Sequence, residues 1–532
     1  MRFFLVSTII LGLCVIMAIP VGATRLNQEE GIWPNHSADW VRTLNRFAST
    51  DVDAAFYNPA GLAFMKKKGL HIQFTSQTIH AERASSQDYW GIAAEGTGFQ
   101  LTNTIRSPLF NKMSGIPDKY GAQITSPVLP SADLVWSGNN YAVFLDIAVT
   151  QAAPGLTFND GLPVMDFAQL APMETLSITA GIPTDVIQYL HKNKAIRTEY
   201  YIAGTLGFSY AFLDWMAAAL GFRYIHAQGE QSLTIKNAGT LNDSAGGADF
   251  LESIVPWYVD TTVKGHGEGL ILGFHFKPID IIDIGLKYEY YFPMNLKKKN
   301  KKMMASWPSM ASGQLNIFMD DWVKQYMIYQ LLYGTLAAPY NDLRNFIGQQ
   351  PYDELRSIKD TLAVTYPQTI SLGFSVNILK NLRAETSGEL SLRPFAKQDG
   401  REKNYNLGYR VGQCIEWEFV PNYFVSAGYL YTDYGIKKSK RNEVDQLLTN
   451  HTVGGGFKLE PIEYLDIQIG AFYVFYKPET QNMAKQFTWV TAITEHYFRK
   501  RYEEKRWSIS LGLTLHVFGE KGKSSALPSI KI

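Results

Sequence analysis

The chain has 532 residues, 46% of them hydrophobic and 13% aromatic, with 30 Tyr and 30 Phe. Fifty basic residues stand against 49 acidic ones, a formal net charge of +1, so no basic field for nucleic acid is present. Cys14 and Cys414 are the two cysteines, too few for a disulfide framework.

The N-terminus comes first. Arg2 is followed by an almost unbroken apolar run from Phe3 to Ile19 and then by Val21-Gly22-Ala23. A charged start, an apolar core and small residues at a cleavage point are the pattern of a secretory signal peptide, residues 1–23. Leu13 stands where a lipobox needs a small residue, which argues against lipidation at Cys14. Once the signal and Arg2 are removed, 49 basic residues face 49 acidic ones, and Cys414 has no partner. After Ala23 no apolar run reaches the roughly 20 residues that a spanning helix needs.

Residues 24–68 do not alternate and read as a separate N-terminal segment. From 69 onward, segments of about ten residues alternate apolar with polar or small side chains, the signature of barrel strands facing lipid and lumen by turns. Fourteen are predicted, at 69–82, 121–136, 139–152, 198–211, 213–229, 261–277, 281–296, 363–378, 382–394, 406–418, 421–434, 450–459, 462–477 and 505–518. In one, Ile282, Ile284, Leu286, Tyr288, Tyr290 and Phe292 alternate with Asp283, Gly285, Lys287 and Glu289. In another, Leu382, Ala384, Leu390 and Leu392 oppose Arg383, Glu385, Ser387, Glu389, Ser391 and Arg393. In a third, Leu407, Tyr409, Val411, Ile415 and Trp417 oppose Asn406, Arg410, Glu416 and Glu418, with Gln413 breaking the apolar face.

The connections alternate in length. Short ones fall at Ser137–Asn139, Phe212–Leu213, Pro278–Asp280, Leu379–Asn381, Val420–Pro421 and Glu460–Pro461. Short periplasmic turns and long outer loops are typical of outer-membrane barrels, which places 153–197, 230–260, 297–362 and 478–504 outside the cell. Tyr429, Tyr431, Tyr434, Tyr473 and Phe475 bunch near strand ends, as an interfacial aromatic girdle does. A secreted all-β sandwich or adhesin accounts for the signal and strands but less well for these lipid-compatible faces. The expected fold is therefore all-β: a transmembrane antiparallel barrel of about fourteen strands over 69–518, with residues 519–532 as a tail.

The segment before the barrel contains Asp51-Val52-Asp53-Ala54-Ala55-Phe56-Tyr57-Asn58-Pro59-Ala60-Gly61-Leu62-Ala63. This resembles the N-terminal plug signature of the FadL-type outer-membrane transporters of long-chain fatty acids and other hydrophobic compounds, whose hallmark is Asn-Pro-Ala. Any tight turn would also favour Asn-Pro followed by Gly, but the position between signal and barrel suits the plug. Pro127 to Gly161, Gly204 to Gln228, Gly265 to Phe292, Tyr366 to Leu392 and His451-Thr452-Val453-Gly454 are similar in pattern to the family's successive hairpins. Family members usually end on an aromatic residue; Phe518 fits that place, yet 14 residues follow it.

The resemblance implies a plug, or hatch, over residues 24–68, with Asn58, Pro59, Ala60, Gly61 and Leu62 as its motif. It implies ligand capture in a groove of the outer loops, passage through the lumen and lateral exit through the wall. Two loops are apolar enough for the groove: Phe250, Leu251, Ile254, Val255 and Trp257 in one, and Ile317, Phe318, Trp322, Met327, Ile328, Leu331 and Leu332 in the other. The same residues would serve to pack the loops on each other as a cap. In the lumen a carboxylate needs a cation, and alternation places Arg223, Lys287, Arg383 and Arg410 there. Glu289, Glu385, Glu389 and Glu416 are available to neutralise them instead.

The expected partners are outer-membrane lipid, a long-chain fatty acid or other hydrophobic ligand, and the barrel-assembly machinery, with the protein itself a monomer. No cofactor is implied. The ten His have no paired metal spacing, and Gly265-His266-Gly267-Glu268-Gly269 lacks the setting and the Lys of a phosphate loop. No Ser–His pair with an acidic orienter can be assembled for an esterase barrel, so catalysis is not expected. Lys297-Lys298-Lys299 with Lys301-Lys302 reads as a solvated outer rim that touches an anionic surface lipid. The alternative to a transporter is a non-transporting barrel whose outer loops serve as adhesin or antigen.

Overall fold

The computed structural model describes residues 37–93, 105–106, 119–161, 187–190, 193–235, 238–241, 257–304, 361–397, 402–441, 446–486 and 493–518. Fourteen antiparallel strands follow one another in chain order: β1 Gly69–Ala93, β2 Tyr120–Ser137, β3 Tyr141–Phe158, β4 Asn193–Leu213, β5 Met216–Ile235, β6 Trp257–Ile279 and β7 Ile282–Tyr291, which continues as Met294–Met304. The rest are β8 Thr361–Val364 with Thr369–Leu379, β9 Leu382–Ser391, β10 Gly408–Val420, β11 Tyr423–Asp433, β12 Asn450–Ile462, β13 Leu465–Tyr476 with Glu479–Gln486, and β14 Ile493–Phe518. β1 pairs with β14 from Leu70–Phe518 to Ala93–Ile493, which closes the sheet into a barrel. Closure leaves no open edge, so apart from an interruption between β2 and β3 the backbone groups of the wall bond within it, as a hydrocarbon environment demands. No helix among the described residues is long and apolar enough to cross a membrane.

All fourteen predicted segments correspond to strands, because the two-residue period was read from side chains that do face opposite ways. On β14, Ile509, Leu511, Leu513 and Leu515 are exposed on the outer surface while Ser508, Ser510 and Thr514 are buried in the lumen. On β10, Leu407, which leads into it, and Tyr409, Val411, Ile415 and Trp417 face out, and Gln413 is exposed on the same face. Six short turns, such as Pro421-Asn422 with Asn422 in the left-handed region at φ 69°, sit at one end of the barrel. We call this the turn end; the other is the loop end.

The strands run further toward the loop end than alternation predicts. β1 reaches Ala93 and β14 starts at Ile493, so each is about twice its expected length. Parts of the four expected loops are strand: 153–158, 187–190, 193–197, 230–235, 238–241, 257–260, 297–304, 361–362, 479–486 and 493–504. The apolar face stops at membrane height, but an antiparallel ladder needs no apolar face to continue. Arg393, expected on the lumen face of a strand, lies in a 3₁₀ turn, Arg393–Phe395, just beyond β9.

Residues 37–68 run inside the barrel. Helix α1, Ala38–Thr43, is capped by Ser37, whose Oγ accepts from Trp40 N at 3.0 Å. Helix α2, Ala54–Tyr57, leads to Asn58 and a 3₁₀ turn over Pro59–Phe64. The wall makes room for this segment with glycines. A Cβ on Gly285 would lie 1.8 Å from the Phe47 carbonyl oxygen, and one on Gly428 2.1 Å from that of Thr43. The segment's backbone is thus seated directly against the lumen wall at two separate strands, β7 and β11.

Candidate functional site

The two sides of the N-terminal segment differ in chemistry. Toward the turn end it is fastened by ion pairs. Arg46 Nε donates to Asp53 Oδ2 at 2.8 Å, and its Nη2 bonds Asp51 at 2.7 Å. Arg42 binds Asp39 and reaches across to Glu416 of β10. Ala48 N donates to Glu385 on β9 at 3.1 Å. Tyr57 is buried, and its hydroxyl accepts from Ser37 N at 3.3 Å; burial and the nearby Asp53 charge raise this phenol well above its ordinary value, so it stays neutral.

The family-like motif is part of this fastening. Asn58 is extended, at φ −159° and ψ 92°, as a residue before proline should be. Its Nδ2 donates to the carbonyls of Phe47 at 3.2 Å and of Phe274 in β6 at 3.1 Å. Ala60 O accepts from Ser209 Oγ of β4 at 3.2 Å. Gly61 is required by proximity and not by backbone angle: its φ is not positive, but a Cβ there would meet Ser49 O at 2.0 Å. Leu62 is buried with Val135 and Phe144 of the wall.

Toward the loop end the segment is aromatic. Trp40, Phe47, Phe56 and Tyr57 form the floor of a cavity of about 160 Å³ enclosed by the barrel wall. Three of the four predicted lumen cations, Arg223, Lys287 and Arg410, line it. Lys287 and Arg223 sit over the Phe56 ring at 5.5 and 5.1 Å, where the ring's negative face favours a cation. Lys287 bonds Glu289 at 2.9 Å, Arg223 Nη1 bonds Glu289 at 3.1 Å and Tyr291 Oη at 2.9 Å, and Arg410 Nε bonds Glu389 at 3.0 Å. These cations are therefore already paired, as the available acids allow. Arg223 Nη2 is the exception: it is buried and has no hydrogen-bond partner among the described residues.

Arg383 is not part of this cavity. It lies at the start of β9, near the turn end, bonded to Glu385 at 2.6 Å and Ser375 at 2.7 Å. Alternation gives the face of a residue but not its height along the barrel, and Arg383 lies on the far side of the segment. Of the predicted groove residues, Trp257 opens β6, and the others lie outside the described residues. The sequence reading missed Tyr291, Tyr366 and the aromatic floor. A signal for the floor was present in Phe56-Tyr57 immediately before the motif.

One wall of the cavity is incompletely paired. β2 and β3 are in register at Ala122–Phe158 and Gln123–Thr157, and again only from Ala132–Ile147 down to Ser137–Ala142. Between them, 124–131 and 148–156 make no ladder to each other among the described residues. The cause is local. Pro127 and Pro130 lack donors, and Gly155, at φ 85°, turns the backbone of β3. Thr150, from this unpaired stretch, lines the cavity.

Comparison with solved structures bears on this arrangement. A Pseudomonas aeruginosa FadL homologue aligns over 92% of this chain and 99% of its own, at a TM-score of 0.55 and 16% identity. The fold is FadL-type. The same FadL-type barrel aligns at lower TM-scores with the Pseudomonas putida toluene transporter TodX (0.45, 10% identity, 89% of this chain and 95% of that one) and the Ralstonia pickettii toluene transporter TbuX (0.47, 11% identity, 92% and 100%). No family model matches the chain, and the search of curated proteins found no match.

Proposed function

We propose that this FadL-type barrel is an outer-membrane channel for hydrophobic molecules that carry an anionic head, of which long-chain fatty acids are the leading class. The observation that carries the reading is the cavity above the segment. Its floor is aromatic, and its wall holds three cations, Arg223, Lys287 and Arg410, of which Arg223 keeps one buried nitrogen, Nη2, without a partner among the described residues. An acyl chain gains about 0.8 kcal/mol per CH₂ on leaving water, and a carboxylate in a dry site needs a charge-assisted donor. The cavity offers both.

Residues 24–68 act in this reading as the plug, following a signal peptide at 1–23 and preceding the barrel at 69–518, with 519–532 as a tail. The turn end then faces the periplasm. Entry is from the loop end, where the two apolar loops form the capture groove. The unpaired stretch beside Thr150 gives the ligand a sideways way out, which spares the acyl chain the passage through water. The protein acts as a channel and not as an enzyme; it needs lipid around it and assembly machinery to insert it, and works as a monomer. The test is to purify the full chain from outer membranes and identify the co-purifying lipids. Enrichment of free fatty acids or similar amphiphiles over bulk lipid supports the proposal. A protein that carries and binds no hydrophobe returns the adhesin or antigen reading.

A further inference from the structure

Above the apolar belt, the outward face of β5, β6 and β7 changes character in steps. Leu272 and Phe274 of β6 and Phe222 and Tyr224 of β5 are exposed in the belt. Next come His226 and His266, cross-strand partners that are both exposed, with His266 stacked on Tyr224 at 6.0 Å and an interplanar angle of 19°. Higher still are Lys264, Lys297 and Lys299, all exposed, while their neighbours Val263 and Leu296 are buried on the lumen side.

Lys297 is the direct cross-strand partner of Lys264, and Lys299 of Thr262. Residues so opposed have Cβ atoms about 4.5–5.5 Å apart, and like charges there repel. The lysines have no ion pair among the described residues, although Glu268 and Glu230 share their face. A repulsive arrangement held on two long strands calls for an anion from outside the chain. Its height narrows the choice. Six residues separate Lys264 from Leu270, about 20 Å along the strand and about 15 Å along the barrel axis at the usual tilt. The order apolar, aromatic, ammonium follows the order acyl chain, interface, phosphate in a lipid leaflet.

We infer that Lys264, Lys297 and Lys299 form a binding site for the phosphate groups of an anionic glycolipid in the leaflet surrounding the barrel, on its lipid-facing rim. The inference rests on the membrane reading above and extends it from the lumen to the outer surface. A lipid is favoured over a soluble anion because the face is continuous with the belt and points away from the lumen.

The experiment uses the full chain in phosphatidylcholine nanodiscs doped with bisphosphorylated lipid A, and the lipid A retained per barrel is measured by native mass spectrometry. The combined Lys264→Gln, Lys297→Gln, Lys299→Gln variant should retain about tenfold less. The matching Lys→Arg variant should retain the wild-type amount. Lipid A stripped of phosphate should not distinguish the proteins, and inorganic phosphate should not displace bound lipid A. Equal retention by the Gln variant, or full displacement by inorganic phosphate, overturns the lipid site. Failure of the wild-type chain to enter nanodiscs overturns the membrane reading with it, whereas insertion without phosphate preference overturns this inference alone.

Discussion

The two sides of the N-terminal segment teach different lessons. Toward the turn end, Arg42, Arg46 and Arg383 each meet carboxylates at short range, and backbone presses on wall glycines. Toward the loop end there is space, aromatic surface and a guanidinium with a spare N–H. Close ion pairs hold a part in place, and Arg46, like Arg223, keeps one buried nitrogen without a partner among the described residues; what sets the loop end apart is open space and aromatic surface beside the cation, which suit it to receive something. The same polypeptide thus serves as anchor on one side and as binding floor on the other.

The comparison can be broken from the anchor side first. Gly285→Val and Gly428→Val should have the largest effect, because backbone carbonyls occupy the place of the new side chains. The segment must shift, and we expect fatty-acid uptake to fall to background and antibiotic sensitivity to rise, with barrel migration on unheated gels preserved. Asp53→Ala comes next. It leaves Arg46 buried with one partner fewer, a change that typically costs about 3–5 kcal/mol, and residues 37–68 should become sensitive to protease added from the turn end.

On the binding side the effects are smaller and should spare the anchor. Arg223→Met keeps an unbranched side chain and removes the guanidinium that lies over Phe56; Lys287 remains for Glu289. A hydrogen bond to a charged group contributes about 1.5–3 kcal/mol, so affinity for a fatty acid should fall by about tenfold or more while a fatty alcohol of equal length binds as before. Ala148→Trp, on the unpaired stretch of β3, should slow release and lower uptake with binding unchanged. The mildest change returns to the anchor: Asn58→Ala loses two hydrogen bonds of about 1 kcal/mol each, and uptake should drop only a few-fold at equal surface levels.

Strand existence, face and order were legible in the sequence, because lipid and lumen impose opposite preferences on alternate residues. Ile509 and Ser510 could not exchange faces without cost. Strand length was not legible beyond membrane height, as Ala93 and Ile493 show, since ladder bonds there are independent of side-chain type. Which cations share a cavity was only partly legible. Arg223 and Lys287 come from strands separated only by β6 and share Glu289, while the height of Arg383 depends on the path of the segment, which no periodicity reports. Gly61 reads from sequence as a residue of a turn that needs backbone freedom, yet its φ is not positive; what requires glycine is the Ser49 carbonyl, a tertiary contact that no local pattern reports.

The most direct test of the central claim is to locate a ligand. A fatty acid with a photoreactive group near its carboxylate, bound to the full chain in lipid and cross-linked, should label peptides that contain Arg223, Phe56 or Tyr291, and an excess of unlabelled fatty acid should abolish the labelling. Labelling confined to outward-facing residues such as Leu272 or Leu511, with no competition by excess fatty acid, would contradict a binding floor inside the barrel.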